Sequence, residues 1–371
     1  MVDTWSTLGE LRIPRGAHSA TPLQDGRILI AGGQIARPDE QGDHDPHAPR
    51  SDATAVSTTT VEFVDPTSAT VQSGPSLLQP RAGHYGARLT DGRVVLVGGL
   101  RISAELQEVS GSETWCPTAT TWEPSVPGPA PSLGDSFVEL APGRLMRTGG
   151  LRVNDTTSTD CWIWKEQTVT WQPQQPLNAS RYLHGSATLA DGSVLVVGGL
   201  HLAKPEGSSE ALCVVERWSP RTGRWTVLGS LPVPVAEPVV TPLRDGNALI
   251  TGGYDEQSHP TCSLYDATTN TLRRTGDLNI PRTGHTATQL EDGSVLVLGG
   301  TSNLEGNRLE VALEDAERWD PSTDAWTVAE GPGAARFAHT TTRLPDRRLL
   351  VVGGRNRGQR VGAIEVFSDP M

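Results

Sequence analysis

Seven pairs of adjacent glycines recur along the chain, each directly after a short run of aliphatic residues. Consecutive pairs lie roughly 50 residues apart, and a fixed period of this size is typical of proteins built from one repeated supersecondary unit. The chain therefore has to be interpreted as a repeat array before any single motif is considered. The pairs are Gly32/Gly33, Gly98/Gly99, Gly149/Gly150, Gly198/Gly199, Gly252/Gly253, Gly299/Gly300 and Gly353/Gly354.

Each glycine pair ends a segment that reads as a β-hairpin. In GHTATQLEDGSVLVLGG, the step Asp292-Gly293 separates two alternating runs. Asp-Gly is a strong hairpin signal because both central residues of a type I′ turn need positive φ. We therefore predict two inner strands in each repeat. The same step occurs at Asp25/Gly26, Asp91/Gly92, Asp191/Gly192 and Asp245/Gly246, with Pro142/Gly143 and Pro345/Asp346 as variants.

A second hairpin is predicted after each glycine pair, because large apolar residues recur seven positions apart around a turn. The segment AERWDPSTDAWTV shows this with Trp319 and Trp326. Opposed aromatic side chains stabilise an outer strand pair and can pack between neighbouring repeats. The other pairs are Trp115/Trp122, Trp164/Trp171, Trp218/Trp225, Tyr265/Leu272 and Val64/Val71.

The last repeat is incomplete, since no partner follows Phe367 before the chain ends. Trp5 precedes the first inner strand and has no outer hairpin of its own. A sheet that combines both termini leaves no unpaired edge in a ring. We therefore predict an all-β, seven-bladed β-propeller over residues 1–371, a single domain with a long loop at 34–60. Residues 3–8 would form the outermost strand of the last blade.

The repeat resembles the kelch motif, in which a double glycine after an apolar strand is followed by an aromatic residue and a tryptophan. The resemblance covers essentially the whole chain; blade 5 departs most, and blade 3 lacks the Asp-Gly turn. It implies a kelch-type propeller of the bacterial type, whose ligands bind at one mouth of the central channel. The starts of the innermost strands and the loops after the glycine pairs would open on that mouth.

Charge and composition limit the partners. The net charge is −12 and the pI is near 5.2, which disfavours binding to nucleic acid or to an anionic membrane surface. No apolar run is long enough to span a membrane, and the first residues lack a secretory pattern. The four cysteines, Cys116, Cys161, Cys213 and Cys262, have no CxxC spacing, and we expect them to be buried thiols. We expect a cytoplasmic protein.

Five blades begin their first strand with Arg-x-x-His. One interpretation is that each arginine pairs with an acidic residue of the next blade, taken from Glu62, Glu113, Glu216, Glu317 and Glu365. The other is that the arginines grip a carboxylate or phosphate, as the corresponding arginines do in kelch modules that hold acidic peptides. The five pairs are Arg15/His18, Arg81/His84, Arg181/His184, Arg282/His285 and Arg336/His339.

Blades 3 and 5 lack this motif and carry acids at or beside it, Asp135 and Glu237. The mouth is therefore predicted to be basic on one side and acidic on the other. A ring of histidines also raises metal binding, although ligands on separate blades face each other across a wide channel. Within the long loop, Asp39, Asp43 and His47 have a spacing similar to the iron-binding Glu-x-x-x-Asp-x-x-x-His of plant kelch specifier proteins.

Three functions follow as hypotheses. The first is a recognition module that binds an anionic small molecule or an acidic protein segment at the mouth. It is favoured because the sequence contains no recognisable catalytic motif. The second is a lyase, isomerase or cyclase, with or without a divalent metal, in which Asp135 or Glu237 acts as base and His184 as acid. Its fold analogues are sialic acid mutarotases, specifier proteins and galactose oxidase, of which the last fits worst. The third is a scaffold for other proteins.

Overall fold

Seven four-stranded antiparallel sheets make up the protein. The computed structural model describes residues 4–37, 55–103, 106–109, 111–125, 128–129, 132–152, 156–202, 208–302 and 311–369. Within these ranges the regular secondary structure is all β, and there is no helix that could cross a membrane. The sheets are the blades of a seven-bladed β-propeller, as the repeat predicted.

The strands of each blade are named a to d from the channel outwards. The a strands are Ser19–Pro22, Tyr85–Arg88, Ser136–Ala141, Gly185–Thr188, Val239–Pro242, Thr286–Gln289 and Thr340–Arg343. The b strands are Ile28–Ala31, Val94–Val97, Arg144–Thr148, Val194–Val197, Ala248–Thr251, Val295–Leu298 and Leu349–Val352.

The outer half of each blade is formed by strands c and d. The c strands are Val61–Asp65, Ser112–Trp115, Cys161–Lys165, Val214–Ser219, Cys262–Asp266, Ala316–Asp320 and Ala363–Ser368. The d strands of blades 1 to 6 are Thr70–Ser73, Glu123–Pro124, Thr170–Pro173, Arg224–Ser230, Thr271–Arg274 and Ala325–Ala329; Thr4–Glu10 completes blade 7.

The a–b turns keep the predicted place but not the predicted conformation. In blade 1 φ is positive at Gly26 and not at Asp25. The Leu23 N–H donates to the Arg27 carbonyl at 2.8 Å, and the Gly26 N–H donates to the Leu23 carbonyl at 3.3 Å. This pattern is a three-residue loop that ends in a left-handed glycine, rather than a type I′ turn. Asp25 is favoured because its Oδ1 accepts the Arg27 N–H at 3.0 Å.

Ring closure occurs as predicted, with slightly different bounds. Thr4–Glu10 pairs antiparallel with Ala363–Ser368, and Trp5 lies opposite Phe367. The two rings have centroids 5.3 Å apart, and the Trp5 Nε1–H donates to the carbonyl of Glu330 in blade 6 at 2.8 Å. The first strand therefore completes one sheet and also fastens it to its neighbour.

The core lies between blades rather than within them. Seven clusters of buried apolar side chains each combine residues of two neighbouring blades. The predicted outer pairs contribute directly: Trp164 opposes Trp171 and Trp319 opposes Trp326 in register. The apolar faces of one blade are thus buried by the next blade, as expected for a repeat that cannot bury its own faces.

One face of the ring, here called the upper face, carries the starts of the a strands and the loops between strands b and c. A single β-bridge joins the two regions in every blade, as between Phe337 and Arg355. In five blades the b–c loop also forms a short hairpin on this face. These hairpins are Gln34–Ala36 with Ala55–Ser57, Leu100–Ile102 with Leu106–Glu108, Leu151–Arg152 with Thr156–Thr157, Leu200–Leu202 with Ser209–Ala211, and Arg355–Asn356 with Gln359–Arg360.

In six of the seven pairs, the first glycine is required by a close approach of the next blade. At Gly32 φ is +59°, and an added Cβ would lie 2.5 Å from the Arg81 carbonyl oxygen and 2.8 Å from Cε1 of His84. A side chain at this place would push the next blade away. The four cysteines are free thiols. Cys161 and Cys262 are buried as predicted, whereas Cys116 and Cys213 are only half-buried, which corrects the prediction for these two.

Candidate functional site

The five repeated arginines are buried inside the blades and do not face the channel mouth. In blade 4 the Arg181 Nη2 lies 2.6 Å from Glu216 Oε1, and both side chains are fully buried. Arg181 Nη1 also donates to the carbonyl of Gly198 at 2.6 Å. The same arrangement holds Arg15 to Glu62, Arg81 to Glu113, Arg282 to Glu317 and Arg336 to Glu365.

This geometry corrects two predictions. The glutamate belongs to the same blade as its arginine, not to the next one. The arginines also do not form a basic arc that could grip an anion, because Arg15, Arg81, Arg181, Arg282 and Arg336 are at most 1% exposed. Burial lowers their pKa, and the facing carboxylate opposes that effect. Each pair acts as an internal brace of its blade.

The sequence contained a signal for this role. Blades 3 and 5 lack the arginine, and they also lack the glutamate, whose place is taken by Trp162 and Ser263. Charges that appear and disappear together within one repeat are expected to pair with each other. Comparing the repeats by this coupling would have favoured the structural interpretation over a ligand-binding arc.

Blade 3 holds a reversed version of the brace. Arg147 of strand b contacts Asp135 at 2.5 Å and donates to Ser132 Oγ at 2.5 Å. Burial raises the pKa of Asp135, and Arg147 opposes that rise. The adjoining cavity has a volume of only about 20 Å³, room for about one water molecule. Among the residues that the structure describes, this cavity leaves Asp135, proposed as a general base, too little room for a substrate.

The five histidines link neighbouring blades. The Nε2 of His184 lies 2.8 Å from Thr148 Oγ1 of blade 3. His184 is 6% exposed, and burial, with the nearby Arg181, lowers its pKa to about 3. It is neutral near pH 7, which contradicts its assignment as a general acid at an open site. The other four links are His18 to Thr340, His84 to Ser19, His285 to Thr251 and His339 to Thr286.

A ring of left-handed residues borders the channel on the upper face, one position before these histidines in five blades and before Asp135 and Pro238 in blades 3 and 5. Its members are Ala17, Gly83, Gly134, Leu183, Glu237, Gly284 and Ala338, all with positive φ. Their main chains bond from blade to blade: the Glu237 N–H donates to the Leu183 carbonyl at 2.7 Å, and the Gly83 N–H donates to the Ala17 carbonyl at 2.8 Å. We call this set the mouth ring.

A groove opens beside the mouth ring across blades 5, 6 and 7, with a volume of about 380 Å³. Pockets that hold small ligands or single side-chain anchors begin at about this size. Its lining is both aromatic and charged. The residues that define it are Glu237, Tyr254, Thr283, Gly284, Phe337 and Arg355.

The two ends of the groove carry opposite charges. On blade 7 the Arg355 guanidinium lies over the Phe337 ring, 4.4 Å from its centroid, and Nη1 lies 3.4 Å from Gln34 Oε1. On blade 5 Glu237 Oε2 accepts a hydrogen bond from Thr283 Oγ1 at 3.2 Å. Tyr254 is half-buried beside Glu237; burial raises the pKa of its phenol, and the carboxylate adds to that rise.

Of the acids and bases predicted for the mouth, Glu237 is the one that the structure places in this groove. Tyr254, Phe337 and Arg355 did not emerge from the sequence, because they are not part of the repeated pattern. The usable signal was positional: Tyr254 and Arg355 directly follow a glycine pair, where blades 2, 3 and 4 have Leu100, Leu151 and Leu200. A polar or aromatic residue at that position marks a blade that differs on the upper face.

The predicted metal site cannot be placed, since Asp39, Asp43 and His47 lie outside the described residues. In the ranges that are described, no group of three His, Cys, Asp or Glu side chains lies close enough to hold a metal ion. The five histidines each contact a hydroxyl of the neighbouring blade and do not converge.

A second and larger cavity, of about 700 Å³, enters the channel from the opposite face. Strands a of blades 1 to 3 line it, with Thr21, Tyr85, Arg88 and Glu139 among its residues. Burial raises the pKa of Tyr85 to about 12. Arg88 is thus an arginine on the face opposite the mouth ring.

Fold and internal braces define a closed seven-bladed propeller with glycine-pair repeats. A family model described as the Kelch motif matches residues 181–232, which span blade 4. The chain is therefore similar to the kelch-repeat family, through blade 4 in the family model and through the same glycine-pair repeat in the other six blades.

Curated relatives extend this similarity over more of the chain. Kelch-like protein 25 of Xenopus tropicalis is 27% identical over 65% of this chain and 40% of its own length. Kelch-like protein 36 of Bos taurus is 26% identical over 68% of this chain and 38% of its own length. The spermatocyte protein spe-26 of Caenorhabditis elegans is 25% identical over 58% of this chain. The matched region thus spans about 40% of the two kelch-like relatives.

Among solved structures, a fungal alcohol oxidase of the AA5 family in complex with copper superposes with a TM-score of 0.72. The match covers 100% of this chain and 77% of the oxidase at 14% identity. At that identity the similarity is one of fold alone.

Proposed function

We propose that this kelch propeller is a recognition module, and that its upper-face groove binds a carboxylate or phosphate group carried by an acidic protein segment or a small anion. The observation that carries this proposal is the position of Arg355, stacked on Phe337 at 4.4 Å in the wall of the groove. Arg355 thereby takes over the role that the sequence suggested for the buried arginines.

Three properties of Arg355 support anion binding. A planar guanidinium matches a carboxylate or phosphate with two parallel hydrogen bonds. Stacking on Phe337 restricts the side chain, so less rotamer entropy is lost on binding. The groove also removes part of the surrounding water, which strengthens a charge-assisted hydrogen bond to about 1.5–3 kcal/mol. Because the whole chain has a net charge of −12, an anion is expected to bind at such a local cation rather than elsewhere on the surface.

The enzyme hypothesis receives less support. Asp135 is paired with Arg147, and His184 is buried against Thr148. Neither side chain reaches the groove that holds Glu237. For the compartment we keep the cytoplasm as a proposal, which fits four cysteines that form no disulfide.

The proposal can be tested by selecting random phage-displayed peptides on the wild-type protein, on Arg355→Ala and on Arg88→Ala. Arg88 is the matched control, an arginine at the opposite cavity. We expect wild-type and Arg88→Ala selections to be enriched in Asp and Glu, and Arg355→Ala to lose that enrichment. Thermal shifts with citrate and phosphate test the small-anion source in parallel.

An acidic enrichment that persists in Arg355→Ala would overturn the proposal. So would the absence of any Arg355-dependent response, both from the peptides and from citrate or phosphate. Equal loss in Arg88→Ala would contradict the upper-face assignment, because it would place the anion at the other mouth.

A further inference from the structure

We infer that the cavity at the opposite mouth of the channel binds a small zwitterion, with the ligand carboxylate at Arg88 and the ligand ammonium at Glu139. This lower cavity has a volume of about 700 Å³ and is lined by the a strands of blades 1 to 3, with Pro22, Tyr85, Arg88 and Glu139 among its residues. The ligand class is a compound of the amino-acid type, which carries both charges a few bonds apart. The inference is independent of the proposed function, because it concerns a different site.

Arg88 and Glu139 place opposite charges at the same height of two neighbouring blades. They lie four residues after His84 and Asp135, which begin the equivalent strands of blades 2 and 3. Both side chains are exposed in the lower cavity. The channel wall removes part of the water around Glu139, which raises the pKa of its carboxyl, and the charge of Arg88 opposes that rise. The two charges are therefore close enough to act on each other.

The same strand position in blade 7 shows what a structural arginine does on this face. There Arg343 is paired with Glu291, with Nη1 and Oε1 3.0 Å apart. Within the described ranges, the side chains of Arg88 and Glu139 form no hydrogen bond or ion pair, either with each other or with another residue. A bound ligand with both charges would supply the partners that the protein does not.

Tyr85 adds a neutral hydrogen-bond donor to the lower cavity. Burial raises the pKa of its phenol to about 12, and Glu139 adds to that rise, so the hydroxyl stays protonated near pH 7. The ring stacks on Phe137 with the centroids 5.8 Å apart, which restricts the position of the phenol. A phenol held in this way can donate to a ligand carboxylate without adding a second cation.

Main-chain groups of the a strands offer further contacts. Strand a is the end strand of every blade, so the channel side of Tyr85–Arg88 and of Ser136–Ala141 presents a row of N–H and carbonyl groups. The N–H groups match a carboxylate, and the carbonyl groups match an ammonium. Both halves of a zwitterion thus find hydrogen-bonding groups beside the charged side chains.

The charges of the lower cavity select against ligands that have one charge only. Glu139 repels a pure anion from Arg88, and Arg88 repels a pure cation from Glu139. A zwitterion meets neither repulsion when it bridges the two side chains. For the same reason Arg88→Ala remains a suitable control for anion binding at the upper face.

The probes for this inference are free L-amino acids, β-alanine and γ-aminobutyrate, which differ in the spacing between ammonium and carboxylate. Thermal shifts and isothermal titration calorimetry on the wild-type protein should show binding of at least one of them. The N-acetyl derivative and the methyl ester of that compound each lack one charge, and each should bind at least about tenfold more weakly. Glu139→Gln and Arg88→Gln should cause a similar loss of affinity for the parent compound.

Two further variants control for indirect effects. Glu123→Gln removes an exposed carboxylate from the outermost strand of blade 2, and it should keep the wild-type affinity. Tyr85→Phe removes only the phenol hydroxyl, so it should weaken binding less than either charge variant does. Unfolding of every variant without ligand shows whether its fold is retained.

The outcomes are separate from those of the proposed function. Absence of binding by every probe overturns the inference. Affinity that survives Glu139→Gln or Arg88→Gln also overturns it, as does an ester or N-acetyl derivative that binds as tightly as the parent compound. An equal loss in Glu123→Gln would contradict the placement in the lower cavity. None of these results bears on Arg355, whose role is tested with peptides, citrate and phosphate.

Discussion

Arg181 and Glu216 face each other inside blade 4 with Nη2 and Oε1 2.6 Å apart and with neither side chain exposed to solvent. Glu216 also accepts the backbone N–H groups of Asn178 and Ala179, at 2.7 and 3.1 Å. The pair therefore holds the segment before strand a against strand c. Since the same brace recurs in five blades, the repeated Arg-x-x-His motif stabilises the ring.

Removing one partner of this brace is expected to be costly. Arg181→Met keeps much of the aliphatic volume but leaves Glu216 as an uncompensated buried charge, so the free energy of unfolding should fall by about 3–5 kcal/mol. Arg93→Ala is the control, because its pair with Asp91 is exposed and such pairs contribute about 0–1 kcal/mol. Urea unfolding measures both. Similar losses in the two variants would contradict the structural role of the brace.

Acid should weaken the links between blades. Burial lowers the pKa of His18, His184 and His285 to about 3, from an ordinary value of 6.5. The unfolded chain therefore binds more protons below pH 6.5. The stability contributed by these neutral histidines is complete above that pH and is lost progressively as the pH falls towards 3.

The measurement is urea unfolding at a series of pH values from about 7.5 to 5, a window above the titration of ordinary carboxylates. Each histidine should add a slope of up to about 1.4 kcal/mol per pH unit. His184→Gln should reduce the slope by about that amount. A wild-type stability that is constant across the window, or a slope unchanged by His184→Gln, would contradict the assignment of neutral buried histidines.

Ring closure should depend on the first strand. Trp5 is half-buried and packs on Phe367, so Trp5→Ala should lower the free energy of unfolding by about 2–3 kcal/mol, somewhat less than a fully buried Trp. Thr7→Ala, at an exposed position of the same strand, should change it by less than about 0.5 kcal/mol.

Deleting residues 1–10 exposes the edge of strand Ala363–Ser368 and should cause aggregation. A deletion variant that stays monomeric with unchanged unfolding would refute closure by this strand.

Filling the groove should block recognition without harming the ring. Gly284→Leu places a side chain on the groove floor, and Leu183, with φ of +52° at the equivalent position, shows that the mouth ring accepts leucine. Gly83→Leu is the matched control, because φ is +63° at both Gly83 and Gly284 and nothing lies within 4 Å of a Cβ added at Gly83. Gly284→Leu should weaken a selected peptide at least about tenfold, roughly 1.4 kcal/mol, as measured by fluorescence anisotropy. Equal affinities in the two variants would place the ligand outside the groove.

The repeat architecture was predictable because it rests on local rules that act seven times. Glycine pairs, Asp-Gly turns and the spacing of Trp319 and Trp326 each report a short-range geometry, and Phe367 without a partner identified Trp5 as the closing residue. The a–b turn shows the limit of such rules: Asp25 and Gly26 indicated a hairpin, but loop length decided the turn type.

The candidate site was predicted less well because the recurrence of a motif was taken as a sign of ligand binding. Arg282 and His285 were notable for recurring, and recurrence in a propeller reflects what every blade needs to pack. Tyr254 and Arg355 line one groove only because the ring geometry brings blades 5 and 7 together. Sequence spacing carries no information on the distance between residues of blades 5 and 7, so these residues could be found only from the three-dimensional structure.

The mouth ring is held together by main-chain atoms, as in the bond from the Leu183 N–H to the Gly134 carbonyl at 2.7 Å. Its side chains take no part in those bonds, so leucine, glutamate, glycine and alanine can occupy the same turn. Specificity can therefore diverge between descendants of such a gene by substitutions at the rim while the scaffold beneath stays intact. New binding preferences would then arise without a compensating change in the rest of the molecule.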